Sequence, residues 1–196
     1  MAIIYGCTDS NAANYNALAT NDNGSCVASK HRNITGELTQ ELLKAGDNIQ
    51  VSSISLTNVN FGGSTLVDLY MEKSITGKFY LLKRVELPTG VTLTHDIKGF
   101  NNSSRGFGLF IKLTKSDTFT LTGTINPVAD PTVTGVGTLF LTEVQVGDEI
   151  IVTGETRTVA SITDTTNLEV TVATTDTDFD ASPDCSPKSR VDVILS

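Results

Sequence analysis

Ile49-Gln-Val-Ser-Ser-Ile-Ser-Leu-Thr-Asn58 places apolar side chains at 49, 51, 54 and 56. This near-alternation is the period of a half-buried strand, with room for a one-residue bulge between 51 and 54. The same period recurs on both sides. Thr65-Leu-Val-Asp-Leu-Tyr-Met71 and Lys78-Phe-Tyr-Leu-Leu-Lys-Arg-Val-Glu-Leu87 read as strands, followed by a Leu87-Pro-Thr-Gly90 turn. Val91-Thr-Leu-Thr94, Gly108-Leu-Phe-Ile-Lys-Leu113 and Thr118-Phe-Thr-Leu-Thr122 continue the series. Short strands every 8–12 residues with turn signals between them predict a sandwich or barrel. Glu37-Leu-Thr-Gln-Glu-Leu-Leu-Lys44 carries helical spacing at 38, 42 and 43, yet its surroundings favour a strand. The expected fold is all-β: a β-sandwich of jelly-roll or immunoglobulin-like type over 30–123 plus 187–196.

Two further segments flank or interrupt that sandwich. Residues 124–186 open at Asn126-Pro127 and Asp130-Pro131 and close at Ser182-Pro-Asp-Cys-Ser-Pro187. Inside lie Val146-Gly-Asp-Glu-Ile-Ile-Val-Thr-Gly154, Glu155-Thr-Arg-Thr-Val-Ala-Ser-Ile162 and Leu168-Glu-Val-Thr-Val172, the content of a small SH3-like barrel of about four strands. Arg190-Val-Asp-Val-Ile-Leu195 is a lone alternating strand after the prolines, so it should return to the sandwich and leave 124–186 as an insertion. Residues 1–29 form a polar module bracketed by Cys7 and Cys26, too small to bury a core unaided.

Composition agrees and excludes. Of 29 Thr, 18 fall between 117 and 177, a loading that favours strands. The net charge of −8 is uneven: 124–186 holds 11 acids and one base, Arg157, while the rest holds 13 bases and 11 acids. An acidic chain argues against a dedicated nucleic-acid binder. No apolar run approaches the ~20 residues that span a bilayer, so no membrane partner is expected. The first residues lack the pattern of a signal peptide.

Candidate chemistry is sparse. A Cys7–Cys26 disulfide would close a loop of about 20 residues, worth roughly 3 kcal/mol in the chain-entropy model; free thiols are the alternative, and Cys185 is left over. Asp9, Asn11, Asn14, Asn16, Asn21, Asp22 and Asn23 offer oxygens that suit calcium, with Asp9, Asn11 and Asp22 the best placed. Their spacing is not that of an EF-hand, and ordinary turn chemistry accounts for them more simply. His31 beside a linker and His95 in an expected turn sit in no catalytic context. The acid pairs Asp148 with Glu149 and Asp176 with Asp178 read as solvated turn carboxylates. No enzyme and no resident cofactor are expected.

Between 73 and 115 stand eight bases (Lys73, Lys78, Lys83, Arg84, Lys98, Arg105, Lys112 and Lys115) against Glu86 and Asp96. Phe79, Tyr80, Phe100, Phe107 and Phe110 are interleaved with them, a pattern that could bind a polyanion. Alternation favours a plainer assignment, with bases on the solvent face and aromatics inside. Tyr70, Phe79 and Tyr80 are accordingly expected in the core or half-buried.

Three stretches carry a resemblance. Gly6-Cys-Thr-Asp-Ser-Asn-Ala-Ala-Asn-Tyr-Asn-Ala-Leu-Ala-Thr-Asn-Asp-Asn-Gly-Ser-Cys26 resembles a GCTD…NYN…DGSC module of surface and virion proteins of marine bacteria and their phages, with Asn23 inserted before Gly24. Val51–Asn58, Phe79–Gly90, Lys115–Leu121 and Val191–Leu195 together are similar to small phage structural proteins built on a β-sandwich; Lys115-Ser-Asp-Thr118 replaces their usual Ser/Gly-Asp turn. Thr134–Phe140, Val146–Ile151 and Gly154–Ile162 resemble a barrel-like module of phage capsid and tail proteins. The resemblance implies a structural component of a tailed-bacteriophage virion, as capsid decoration or in the tail or baseplate, and no catalytic residues. Its partners would be other virion proteins and further copies of itself. It would be assembled in the host cytoplasm, with any disulfide forming after lysis because the cytosol is reducing. The alternative is a carbohydrate-binding module for adhesion to the host surface, which aromatics on an exposed sheet face would support.

Overall fold

The computed structural model describes residues 3–8, 15–25, 30–46, 49–73, 77–101, 106–115 and 117–196, the side chains at 98, 99 and 101 excepted. Among the described residues the protein is all-β apart from one helical turn. At the N-terminus, β1 (Tyr5–Gly6) pairs in parallel with β2 (Asn21–Asp22), and Cys7 bridges to Tyr15.

Eight strands form the sandwich: β3 (Lys30–Thr35), β4 (Thr39–Leu43), β5 (Gln50–Asn58), β6 (Thr65–Lys73), β7 (Gly77–Leu87), β8 (Thr92–Asn101), β9 (Gly108–Lys115) and, after a long excursion, β17 (Arg190–Leu195). One sheet has the order β3-β17-β5-β8 and the other β4-β9-β6-β7, every neighbour antiparallel. Numbered along the sandwich alone, the orders are 1-8-3-6 and 2-7-4-5. That is the jelly roll, in which the chain passes from one sheet to the other at every step except the β6–β7 hairpin, and it decides between the two sandwich types left open by periodicity. The ambiguous Glu37–Lys44 stretch holds β4. Between the sheets lies one core that includes Ile34, Leu43, Val51, Ile54, Leu56, Val67, Leu69, Leu109, Ile111, Leu113, Val191, Val193 and Leu195. Each is an inward position of its strand, so the alternation read from Ile49–Asn58 is the alternation that fills the core.

Asn58 ends β5 and is fully buried. Its amide nitrogen donates to the carbonyls of Leu87 (2.8 Å) and Gly63 (3.2 Å), and its Oδ1 accepts from the Asn60 backbone (3.0 Å). Its own backbone exchanges hydrogen bonds with Val91 and Gly90 across the Pro88–Gly90 turn. One amide thus satisfies groups from two loops, β5–β6 and β7–β8, that would otherwise be buried without partners.

The segment between β9 and β17 builds a separate sheet in the order β10-β16-β13-β14-β15-β12-β11. Its strands are β10 (Phe119–Thr120), β11 (Thr124–Ile125), β12 (Thr132–Val136), β13 (Glu149–Val152), β14 (Glu155–Ile162), β15 (Asn167–Val170) and β16 (Asp184–Ser186). Seven short strands therefore replace the expected four. The strand anticipated at 118–122 shrinks to β10 and pairs with β16 in this separate sheet, because Leu121 is buried in its core. A helical turn, α1 (Phe140–Glu143), carries Phe140 into that core.

This sheet is rolled. Its two outermost strands, β10 and β11, are separated by only Leu121–Gly123, a link that reaches about 14 Å at most. Seven strands laid flat would put their outer members about 29 Å apart. Asp180 braces the curl: its backbone exchanges two hydrogen bonds with Ile125 (2.9 and 2.8 Å), and its Oδ2 accepts from the Thr153 N–H (2.7 Å). Thr153 and Gly154 both have positive φ (51° and 82°), the geometry of the two-residue turn that matches strand twist between β13 and β14.

Candidate functional site

A β-sheet face is decided by register, and β7 is irregular. Val67 and Leu69 on β6 stand opposite Val85 and Leu82, so Lys83 and Arg84 together oppose Asp68. A second shift follows at once: Leu69 and Tyr70 face Leu82 and Tyr80, leaving Leu81 extra. Strict alternation would put Tyr80 and Leu82 on one face. The bulge at Leu81 instead turns Leu82 toward the core and Tyr80 to the outside. Tyr80 and Phe79, expected in the core or half-buried, lie outside the core. They are 44% and 48% exposed, while Tyr70 is buried and Phe100 fills the core as alternation requires.

The result is a cross-strand row on the outer face of the β4-β9-β6-β7 sheet. Tyr80, Tyr70, Phe110 and Glu41 are successive partners across β7, β6, β9 and β4. Tyr70 stacks on Phe110 (centroids 5.6 Å apart, planes 11° apart) and leans on Tyr80 (5.5 Å). Tyr70 is covered because its neighbours close over it: the Lys78 ammonium lies 4.4 Å from its ring centre and donates to its hydroxyl at 3.2 Å. That hydrogen bond raises the Lys78 pKa above its ordinary value. Lys83, carried by the first bulge, sits 5.0 Å over Tyr80. Arg84 has φ of 50°, unusual for a side-chain-bearing residue, and its N–H is held by Asp68 Oδ1 at 2.6 Å. Around the sheet end, Phe79 meets Phe107 edge-on (5.3 Å), with Lys73 5.9 Å over that ring. The bases therefore do lie on the solvent side, but aromatics lie there with them.

Beside this row opens a cleft of about 440 Å³, bounded by Glu41, Glu72, Lys73, Gly106, Gly108 and Phe110. Gly108 faces Glu72 across β9 and β6. A Cβ at Gly108 would stand 2.8 Å from Phe110 Cε2 and 3.3 Å from Glu41 Oε1, so glycine is what lets the Phe110 ring and the Glu41 carboxylate close in on this point of β9.

Other sequence candidates separate. Cys7 is buried; Cys26, and with it the expected Cys7–Cys26 pairing, lies outside the described residues. So do the calcium candidates Asp9 and Asn11. Asp22 is described, and its Oδ1 caps the Gly24 N–H at 3.0 Å in a local turn. Among the described residues no three His, Cys, Asp or Glu side chains gather as a metal cluster. His95 is on β8 opposite Ile54, not in a turn, and His31 is exposed on β3. Asp176 caps Asp178 in a turn, as its sequence suggests.

Asp148 is not the solvated turn carboxylate its Gly-Asp-Glu context implies. It is 1% exposed and forms a 2.6 Å ion pair with Arg190, the first residue of β17. Its oxygens also accept from the Lys188 and Gln145 backbones (3.0 and 2.8 Å), and Arg190 donates on to Val146 O at 2.8 Å. Lys115 and Glu149 add a second bridge of 2.9 Å. These contacts fasten the rolled sheet to the sandwich. Arg157, the one base between 124 and 186, is engaged within that sheet by Glu155 (2.5 Å) and Ala173 O (2.9 Å). Glu155 also gathers the Thr175 hydroxyl and the backbones of Thr175 and Asp176, and these hydrogen bonds hold its carboxyl below the usual range.

Cys185 is a free, buried thiol between β10 and β13. Burial, then the nearby negative charge of Asp148, pushes its pKa up to about 12. At pH 8 its thiolate population is then about 10³-fold below that of an ordinary thiol. Iodoacetamide at pH 8 should leave Cys185 unmodified in the native protein and label it after denaturation, read by peptide mass; native labelling at the unfolded rate would show that the rolled sheet opens readily. Comparison with known proteins adds no relative: no family model matches the chain, and no match was found among curated proteins or solved structures.

Proposed function

We propose that the protein is a structural component of a tailed-phage virion that acts by protein–protein packing, as a capsid decoration or in the tail or baseplate. The observation that carries this reading is the fixed, two-part build: a jelly roll with a rolled acidic sheet locked to it through the buried Asp148–Arg190 pair. Such a body suits repeated contacts, which need a rigid surface more than a mobile one. The residues behind the phage resemblance hold scaffold positions that support it. Asn58 clamps the Leu87–Gly90 turn, and Val191–Val193 lie in a central strand. The rolled sheet, with its one base engaged internally, offers carboxylates to a basic neighbour, while the sandwich makes the closer contacts. Assembly in the host cytoplasm belongs to the same proposal.

Quantitative peptide mass spectrometry of purified particles tests it. A fixed copy number, a small multiple of the capsid or tail symmetry, is the expected result; absence from purified particles overturns the proposal. A second reading, carbohydrate binding for adhesion to the host surface, is favoured by the exposure of Tyr80 and Phe79.

A further inference from the structure

We infer that the cleft over Gly108 is a binding site for a neutral pyranose of a surface polysaccharide, seated on Phe110 and held by Glu41 and Glu72. This assignment rests on the carbohydrate-binding reading and gives it a location and a ligand class. Gly108, bare of a side chain, lets Phe110 and Glu41 line the space closely, and the cleft's volume lies in the range of small-ligand sites. Phe110 is fixed in advance. Its ring is stacked on Tyr70, which is itself wedged by Tyr80 and Lys78. A ring held in this way loses little freedom when the C–H face of a sugar settles on it.

The polar side of the cleft is acceptor-rich. Among the described residues neither Glu41 nor Glu72 makes a hydrogen bond or ion pair, and both carboxylates border the space. Ionised carboxylates only accept, so they suit ligands that bring several O–H or N–H donors. Among the described lining residues, two carboxylates stand against one ammonium, Lys73, a balance that repels uronates, sialic acids and sulfated sugars. Hydroxyl-rich neutral hexoses and N-acetylhexosamines meet both requirements: an apolar face for the ring and donors for the rim.

The experiment uses the whole chain and neutral tetrasaccharides of glucose, galactose, mannose and N-acetylglucosamine, with heparin as a polyanion control. Saturation-transfer NMR detects contact and calorimetry gives the Kd. At least one tetrasaccharide should bind, and heparin should not compete. Glu41→Gln and Glu72→Gln should each weaken binding about tenfold, the loss of one charge-assisted hydrogen bond. Gly108→Ala should weaken it at least as much by pushing Phe110 into the space, while the melting temperature of all three variants stays near that of the parent. If a tetrasaccharide binds and the three variants bind it equally well, adhesion survives and this cleft is overturned. If no tetrasaccharide binds, both fall. Binding to heparin alone, lost with salt, overturns the cleft in favour of the Lys78 and Lys83 face.

Discussion

Replacing Asp148 by alanine should cost about 3–5 kcal/mol, because it strands the Arg190 guanidinium in a site closed to water. The Arg190 side chain is only 13% exposed, and its other partners, Val146 O at 2.8 Å and Lys188 O at 3.1 Å, carry no formal charge. The same change orphans the Lys188 and Gln145 N–H groups. For a chain of this size the loss corresponds to a fall in melting temperature of roughly 6–20 °C. Asp148→Asn keeps the shape but loses the charge and should recover only part of the loss. The double change with Arg190→Met should recover more, since removing both charges ends the burial penalty. Thermal unfolding followed by circular dichroism checks the series. A penalty below about 1 kcal/mol for the alanine variant would mean that the two sheets' contact is wet rather than closed.

Phe140→Ala is the second large effect, at about 3–5 kcal/mol, and its location matters more than its size. Phe140 is fully buried among Leu121, Ile125, Val133, Val144, Ile150 and Val152, a cluster that shares no residue with the sandwich core. The loss should therefore appear as local opening of the rolled sheet. Hydrogen exchange should accelerate at β13, β14 and β15 while β5, β6 and β9 keep their protection. Uniform acceleration across both sheets would show one cooperative unit, with the Asp148–Arg190 contact strong enough to tie the cores together.

Sequence reading reaches the sandwich because its strands are long. Gln50–Asn58, Thr65–Lys73 and Gly77–Leu87 each contain several repeats of the two-residue period, enough to mark them as strands despite one irregularity in the first and two in the last. It reaches the excursion between β9 and β17 through punctuation: prolines at both ends and a change of charge. It anticipates a strand over β10 but assigns it to the sandwich, because two residues have too little period to show which sheet they join. It misses α1 because a four-residue turn entered at Leu139, with no capping side chain, leaves no signature. Jelly-roll order could not be read, since periodicity shows which side chains point inward but not which strands are neighbours.

The candidate site was half legible. Its basic and aromatic composition stands out between 73 and 115, but the face on which the rings lie depends on bulges at Leu81 and Lys83–Arg84. The Gly77–Leu87 sequence contains no glycine or proline at those points to announce them. Glu41 and Glu72 were not singled out at all. They become interesting only when β4, β9 and β6 are side by side. Asp148 was missed for a related reason. A Gly-Asp-Glu turn reads as solvent-facing until a distant arginine is found behind it.

The way the rolled sheet joins the sandwich has a mechanical consequence. Its two chain crossings leave from β9, after Lys115, and return into β17, at Arg190. Neither is an edge strand: β9 lies between β4 and β6, and β17 lies between β3 and β5. β17 alone is paired at six positions with β3 and at five with β5. A pull on the outer body is thus delivered to an interior strand of each sheet, where hydrogen bonds on both flanks must shear together instead of peeling one at a time. The tether is built into the middle of both walls.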